Sequence, residues 1–344
     1  MIEIDGSYGE AGGQILRTSL GFSSITGKPI RVFNIRKGRR NPGLAPQHLT
    51  TIKAVSEVTG GELRGAEPGS PEIEFYPGPL KGGFFKFDVG TAGAISLVLQ
   101  ALMIPAFLPR QGLTVEIKGG TFVNWSPSIG YLENITLGIL RKLNFKGEII
   151  IKRHGFYPKG GGEVLAKFSK ADLSPISFLE SGKLLEIKGE AIASSDLKKA
   201  RVAERMASQA KKELEHELKI SPDIEVKYIE SFGSGGGINL YAYYENSITG
   251  ASAICERGKP SEKVALEACE SFIKTHASGS PIDEHMEDQI LPFMALAADK
   301  GESAVKIPYL TKHARTNIWV IEKFLPVKFE IDEGNKIISC KKIY

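Results

Sequence analysis

What most constrains this chain is a pattern that recurs three times along its 344 residues. Each copy has a polar or glycine-rich lead-in, an apolar helical stretch, a strand, a short loop, a second helix and two closing strands. The first copy begins at Gly6 and predicts helices over 13–25 and 46–59, with strands over 30–35, 61–64 and 72–76. The second begins at Gly90, with helices over 92–104 and 127–143 and strands over 113–118, 148–153 and 162–168. The third begins near Asp283, with helices over 287–298 and 314–324 and strands over 303–307, 327–332 and 336–342. Helices and strands alternate, so the expected fold is α/β (α+β), with three repeated βαβαββ-like units forming a large body whose sheets are covered by helices.

Between copies two and three the pattern changes. Residues 184–279 hold the longest and most charged helix, in which Val202, Met206, Ala210, Leu214 and Leu218 recur every four residues and which Asp196 is placed to cap. Strands over 224–230, 237–245 and 252–256 follow, then a helix over 261–276. The predicted organisation is a repeated-unit body of residues 1–183 and 280–344, with a smaller α/β domain inserted at 184–279.

Composition narrows the function classes. Lys+Arg 44 against Asp+Glu 40 leaves a net charge of +4, so attraction to nucleic acid must come from local clusters. Cys255, Cys269 and Cys340 are odd in number and lack metal or disulfide spacing, which predicts reduced structural thiols. The chain opens without a basic, apolar leader, and the longest apolar stretch, 97–108, is broken by Gln100 and Pro105. The expectation is a soluble cytoplasmic protein, monomer or homodimer.

The sequence reads against a Walker-type phosphate loop, because Gly27-Lys28 lies one residue too far from Gly21 and Pro29 occupies the Ser/Thr position. The triplets Gly160-Gly161-Gly162 and Gly235-Gly236-Gly237 lie between strand-like runs and read as turns or bulges. Ile35-Arg36-Lys37-Gly38-Arg39-Arg40-Asn41-Pro42-Gly43 is more informative. It is a basic loop leaving a strand for a helix that Pro46 starts, with Gln47 and His48 in the first turn, and guanidinium forks with helix N–H groups suit phosphates. The opening run from Gly6 to Arg17 sets Glu10, Gln14 and Arg17 among glycines, where Glu10 serves as a helix cap or as a metal ligand near phosphates. Of six histidines, His216 and His276 read as surface or capping residues. His313, in Lys312-His313-Ala314-Arg315-Thr316-Asn317, opens a helix beside cations that favour a neutral imidazole, although a lone histidine there is equally a capping residue.

Taken in order, Gly9-Glu10-Ala11-Gly12-Gly13-Gln14 with Arg17, the loop from Ile35 through Leu44 with Gln47-His48, His154-Gly155-Phe156-Tyr157-Pro158-Lys159-Gly160-Gly161-Gly162, and the segment from Lys312 to Asn317 resemble the RNA 3′-terminal phosphate cyclases over essentially the whole chain. The resemblance implies an ATP-dependent enzyme acting on RNA 3′ ends with a divalent metal, Mg2+ or Mn2+. It implies that His313 carries AMP, that Glu10 and Gln14 sit near nucleotide and metal, and that Arg17, Arg36 and Arg39 clamp phosphates. Gln47, His48, Gln100, Asp288 and Gln289 match pocket positions, Pro127 matches an adenine wall, and His285 stands where relatives carry a stacking tyrosine. Two rivals share the repeats. One is a non-catalytic cyclase-like protein of ribosome assembly, which lacks the histidine; the other is an enolpyruvyl transferase, which gives His313 no covalent role.

Overall fold

The computed structural model describes residues 1–90 and 92–343. The first unit comprises β1 (Ile2–Asp5), α1 (Gly13–Thr26), β2 (Ile30–Phe33), α2 (Pro46–Thr59), β3 (Glu62–Arg64) and β4 (Ile73–Tyr76). The second comprises β5 (Gly83–Asp88), α3 (Ile95–Ala106), β6 (Leu113–Gly119), α4 (Ile129–Tyr131), a π turn (Leu132–Thr136), α5 (Leu137–Lys142), β7 (Lys146–Arg153) and β8 (Gly162–Ser169). The third opens with β9 (Ser177–Phe178). Then comes a stretch of different topology: β10 (Leu184–Ser194), α6 (Val202–Leu218), β11 (Asp223–Ile229), β12 (Gly236–Tyr244), β13 (Ile248–Ile254) and α7 (Ser261–Ser278). The third unit resumes with α8 (Met286–Ala297), β14 (Ser303–Lys306), α9 (Lys312–Phe324), β15 (Val327–Asp332) and β16 (Ile337–Lys342).

Among the described residues, three of the four sheets share one strand order, β1-β2-β4-β3, β5-β6-β8-β7 and β9-β14-β16-β15. In each, the first two strands are parallel and the others antiparallel. The units are therefore true βαβαββ repeats. The third begins earlier than its periodicity predicts, because β9 precedes the inserted stretch, which interrupts that unit between its first strand and first helix. The sheet β11-β10-β12-β13 stands apart and has its own buried cluster, centred on Met206, Leu240, Cys269 and Phe272.

Burial alternates along β2, β4, β6 and β8, so helices cover one face of the sheets of units one and two and the other face is less buried. Across the body, α1 packs against α2, α3 and α9, and α8 packs against α9, so the units share one core. Leu20, Phe22, Val98 and Val320 are fully buried in it, each contributing about 1.5–3 kcal/mol.

Several local expectations are corrected. Asp196 does not cap α6: it lies in a separate turn and bonds Ser234, while Arg201, in a left-handed conformation, precedes the helix without a side-chain cap. The second helix of unit two starts at Ile129, because Ser128 is its cap and accepts the Tyr131 N–H at 3.0 Å. Gly27 ends α1 in a left-handed conformation and Lys28 bonds the Phe324 carbonyl at 2.9 Å, so this near-miss phosphate loop is a helix stop. The three cysteines are free, and burial pushes the Cys269 and Cys340 thiols up to about 12. No helix among the described residues is long and apolar enough to cross a membrane.

Candidate active site

The first helices of units one and three open toward one cleft of about 1170 Å³, larger than the roughly 300–1,000 Å³ that one small ligand fills. At its base α1 starts with Gly12 as cap and no side-chain acceptor, leaving first-turn N–H groups open. Glycine is required at position 13: a Cβ there would come within 2.4 Å of His48 Nε2. Glu10 does not cap the helix, its carboxylate being engaged by His313.

His48, in the first turn of α2, accepts the Ala45 N–H through Nδ1 at 3.1 Å. Burial, then Arg17 and Arg36, hold its pKa down at about 4. The ring is therefore neutral, with its hydrogen on Nε2 facing Gly13. Arg36 donates to the Gly43 carbonyl at 2.9 Å and Arg39 to the Glu10 carbonyl at 3.2 Å. Burial and the neighbouring Arg39 charge lower the pKa of Arg36, and burial, partly offset by Asp288, brings Arg17 to about 10. Ion pairs with carboxylates satisfy Arg31, Arg64, Arg153, Arg205 and Arg315, but not Arg17, Arg36 or Arg39 among the described residues. Three cations thus line one cleft beside an uncapped helix N-terminus, an arrangement whose charge and open N–H groups suit an anion.

His313 lies in the first turn of α9, where Thr311 accepts the Ala314 N–H at 3.0 Å. Its Nδ1 meets the Gln14 side-chain oxygen, because the Gln14 amide nitrogen donates to Asp288 at 2.5 Å and so turns that oxygen toward the ring. Its Nε2 faces Glu10 at 2.6 Å. The direct partner of the imidazole is thus a carboxylate and not the cations its sequence neighbours suggest; Arg315 turns away to Glu333 at 2.5 Å. Burial raises the pKa of Asp288, opposed by His313, Arg17 and His285.

The remaining sequence-derived candidates, Gln47, Gln100, Pro127, His285 and Gln289, line the same cleft. Gln289 is held at both ends, donating to the His285 carbonyl at 2.6 Å and accepting from Thr136 in the π turn at 3.0 Å. His285 is exposed and stands edge-on to Tyr131, with ring centroids 6.1 Å apart.

Supporting residues that sequence reasoning missed lie behind these. Asp283, almost fully buried, accepts from Tyr131 at 2.5 Å, from the His285 N–H at 3.0 Å and from the Gly250 N–H at 3.0 Å. Glu287 accepts the Thr311 N–H with both oxygens, at 3.1 and 3.2 Å, and burial pushes its pKa up to about 7. Only Thr311 carried a readable signal, a threonine just ahead of a helix.

Known proteins resemble this chain along nearly its full length. Proteins named RNA 3′-terminal phosphate cyclase from Methanopyrus kandleri, Methanosarcina barkeri and Pyrococcus furiosus are 44%, 43% and 42% identical to it. The alignments cover 96%, 97% and 97% of this chain and 95%, 97% and 96% of those relatives. A family model described as RNA 3′-terminal phosphate cyclase matches residues 8–331, and the chain belongs to that family.

Proposed function

We propose that this protein uses ATP to convert an RNA 3′-terminal phosphate into a 2′,3′-cyclic phosphate, with His313 carrying AMP between the two substrates. The observation that carries the reading is the setting of His313, with Nδ1 held by Gln14 and Nε2 facing the cleft through Glu10. Both ring nitrogens face acceptors, Nδ1 the Gln14 oxygen and Nε2 the Glu10 carboxylate, so the lone pair for attack is freed at Nε2 when its proton passes to Glu10 and that carboxyl group withdraws. Nε2 attacks the α-phosphorus of ATP and pyrophosphate leaves. An oxygen of the RNA 3′-phosphate then displaces the histidine and takes the AMP. The vicinal 2′-hydroxyl attacks the activated phosphorus, AMP departs, and intramolecularity supplies much of the rate. Adenylylation is needed because a phosphate monoester otherwise has no adequate leaving group. As a bond-forming reaction driven by ATP, this is ligase chemistry.

Arg17, Arg36 and Arg39 are assigned to the triphosphate and the RNA terminal phosphate, neutralising charge as it develops on transferring oxygens. Gln47 and the neutral His48 add hydrogen bonds beside them, while Pro127 and His285 flank adenine and Gln100, Asp288 and Gln289 complete its surroundings. A divalent cation, Mg2+ or Mn2+, would be held by Glu10 together with phosphate oxygens of the nucleotide, because no cluster of three or more metal-binding side chains occurs among the described residues. When bound, that ion supplies further neutralisation of phosphate charge.

The test is incubation of a 3′-phosphorylated RNA with ATP and either cation. The reading expects an end that resists phosphatase and appears only with ATP; an end that stays phosphatase-sensitive contradicts it.

A further inference from the structure

Three large side chains are exposed along neighbouring segments: Trp125 at 98%, Tyr157 at 76% and Phe232 at 58%. Isolated exposed apolar residues are ordinary; these are linked. The 121–126 and 155–161 loops run side by side, since the Thr121 N–H bonds the Gly155 carbonyl at 2.9 Å and Phe122 bridges Phe156 in parallel. Trp125 and Tyr157 therefore belong to the same pair of adjoining segments. Trp125 lines the cleft that holds His313, and its backbone has φ 64°, a conformation unfavourable for a bulky residue. Both sides of its loop are anchored, by Ser126 bonding the Val123 carbonyl at 2.9 Å and Ser128 bonding Asn239 at 2.7 Å.

At the far end the second loop meets the inserted stretch. Phe232 lies against Gly161, the Arg153 guanidinium stands 4.7 Å over the Phe232 ring, and the Lys159 stem runs along Gly233. Asp196 bonds Ser234, which brings the exposed Lys198 and Lys199 to the same seam. Arg153 shares part of its charge with Glu163 at 3.7 Å, whereas Lys159, Lys198 and Lys199 have no ion pair among the described residues. Exposed aromatic rings interspersed with cations that carry no ion pair are what a single strand of nucleic acid needs, rings for bases and ammonium groups for phosphates, and Lys198, which stands 6.0 Å over the Tyr228 ring, keeps its charge for that purpose.

We infer that the RNA strand leading to the terminal phosphate leaves the cleft over Trp125 and Tyr157 and reaches Phe232, Lys198 and Lys199 of the inserted stretch. This rests on the cyclase reading and explains what the insert contributes, a longer grip on single-stranded RNA that does not read its sequence. Bases stack on Trp125 and Tyr157 and pack against the exposed part of the Phe232–Arg153 pair, and Lys159, Lys198 and Lys199 follow the backbone.

The test compares a 3′-phosphorylated dinucleotide with a strand of roughly 12 nucleotides, within the span such grooves cover. Wild-type protein is expected to show a lower KM for the longer RNA. Phe232→Ala, and Lys198→Ala with Lys199→Ala, should raise that KM about tenfold while leaving the dinucleotide KM and labelling of the protein by ATP alone unchanged. The double lysine variant should also lower the slope of log affinity against log salt by up to about 1.4. In a Trp319→Phe background, Trp125 fluorescence should be quenched by the longer RNA added without ATP. Normal labelling with the same length dependence in every variant would overturn the RNA path and leave the seam to another partner, such as an acidic protein. Loss of labelling in wild-type protein would instead sink the cyclase reading.

Discussion

Two buried ionisable residues beside the cleft pull stability in opposite directions as pH changes. Glu287 has a folded pKa of about 7 against an ordinary 4.5, so its contribution is full below the ordinary value and is lost as pH rises through about 7. His48 has a folded pKa of about 4 against 6.5, so its contribution is present above 6.5 and is lost as pH falls toward 4. The windows overlap and the slopes offset, predicting a flat stability profile in the wild type between these limits. Glu287→Gln keeps an acceptor for Thr311 but never ionises. By urea unfolding it should be about 3 kcal/mol more stable than wild type near pH 8 and equal to it near pH 4, with stability now falling toward acid. A parallel offset at every pH would mean that the Glu287 pKa is the same in the folded and unfolded protein. None of this was legible in the sequence, because Glu287 sits next to Asp288 on one helical turn and only burial and the Thr311 contact distinguish them. The Glu10–His313 contact was hidden similarly, its partners lying at opposite ends of the chain.

Among the elements, α9 decides where the imidazole points. Thr311 caps it, accepting the Ala314 N–H, while its own N–H is held by Glu287. Thr311→Ala should lower stability by about 1 kcal/mol and reduce the rate of self-adenylylation more than it raises the KM for ATP. The reverse split would show that the cap serves folding alone. Helices and long strands were the readable elements, since an apolar face repeats over several turns in α1, α3 and α9. Opening strands were not. β9 is two residues long and β1 four, and each is defined by a partner that pairs with it in parallel and not by its own pattern. The true start of α6 was also unreadable, because Asp196 looks like a cap but bonds Ser234.

For the whole molecule, we propose that the inserted stretch is a domain that unfolds together with the body. The seam holds the Gly250–Asp283 bond at 3.0 Å, the Ser128–Asn239 bond at 2.7 Å and a small core of Phe122, Phe156 and Ile192. Unfolding followed by the fluorescence of Trp125 and Trp319, both in the body, should coincide with unfolding followed by circular dichroism of the entire chain. Two separated transitions would show that the seam is weak. The repeats and the charge of the basic loop were visible in the sequence. The meeting of three arginines from unit one with a histidine of unit three followed only from the family resemblance and not from any local pattern, because packing of α1 against α9 creates it.

The most direct measurement is to incubate the protein with α-labelled ATP and Mg2+, without RNA, and map the label by peptide mass spectrometry. The account predicts one acid-labile AMP on His313, absent from His313→Ala protein that retains the wild-type circular dichroism. AMP on another residue, or undiminished labelling of that variant, would contradict it.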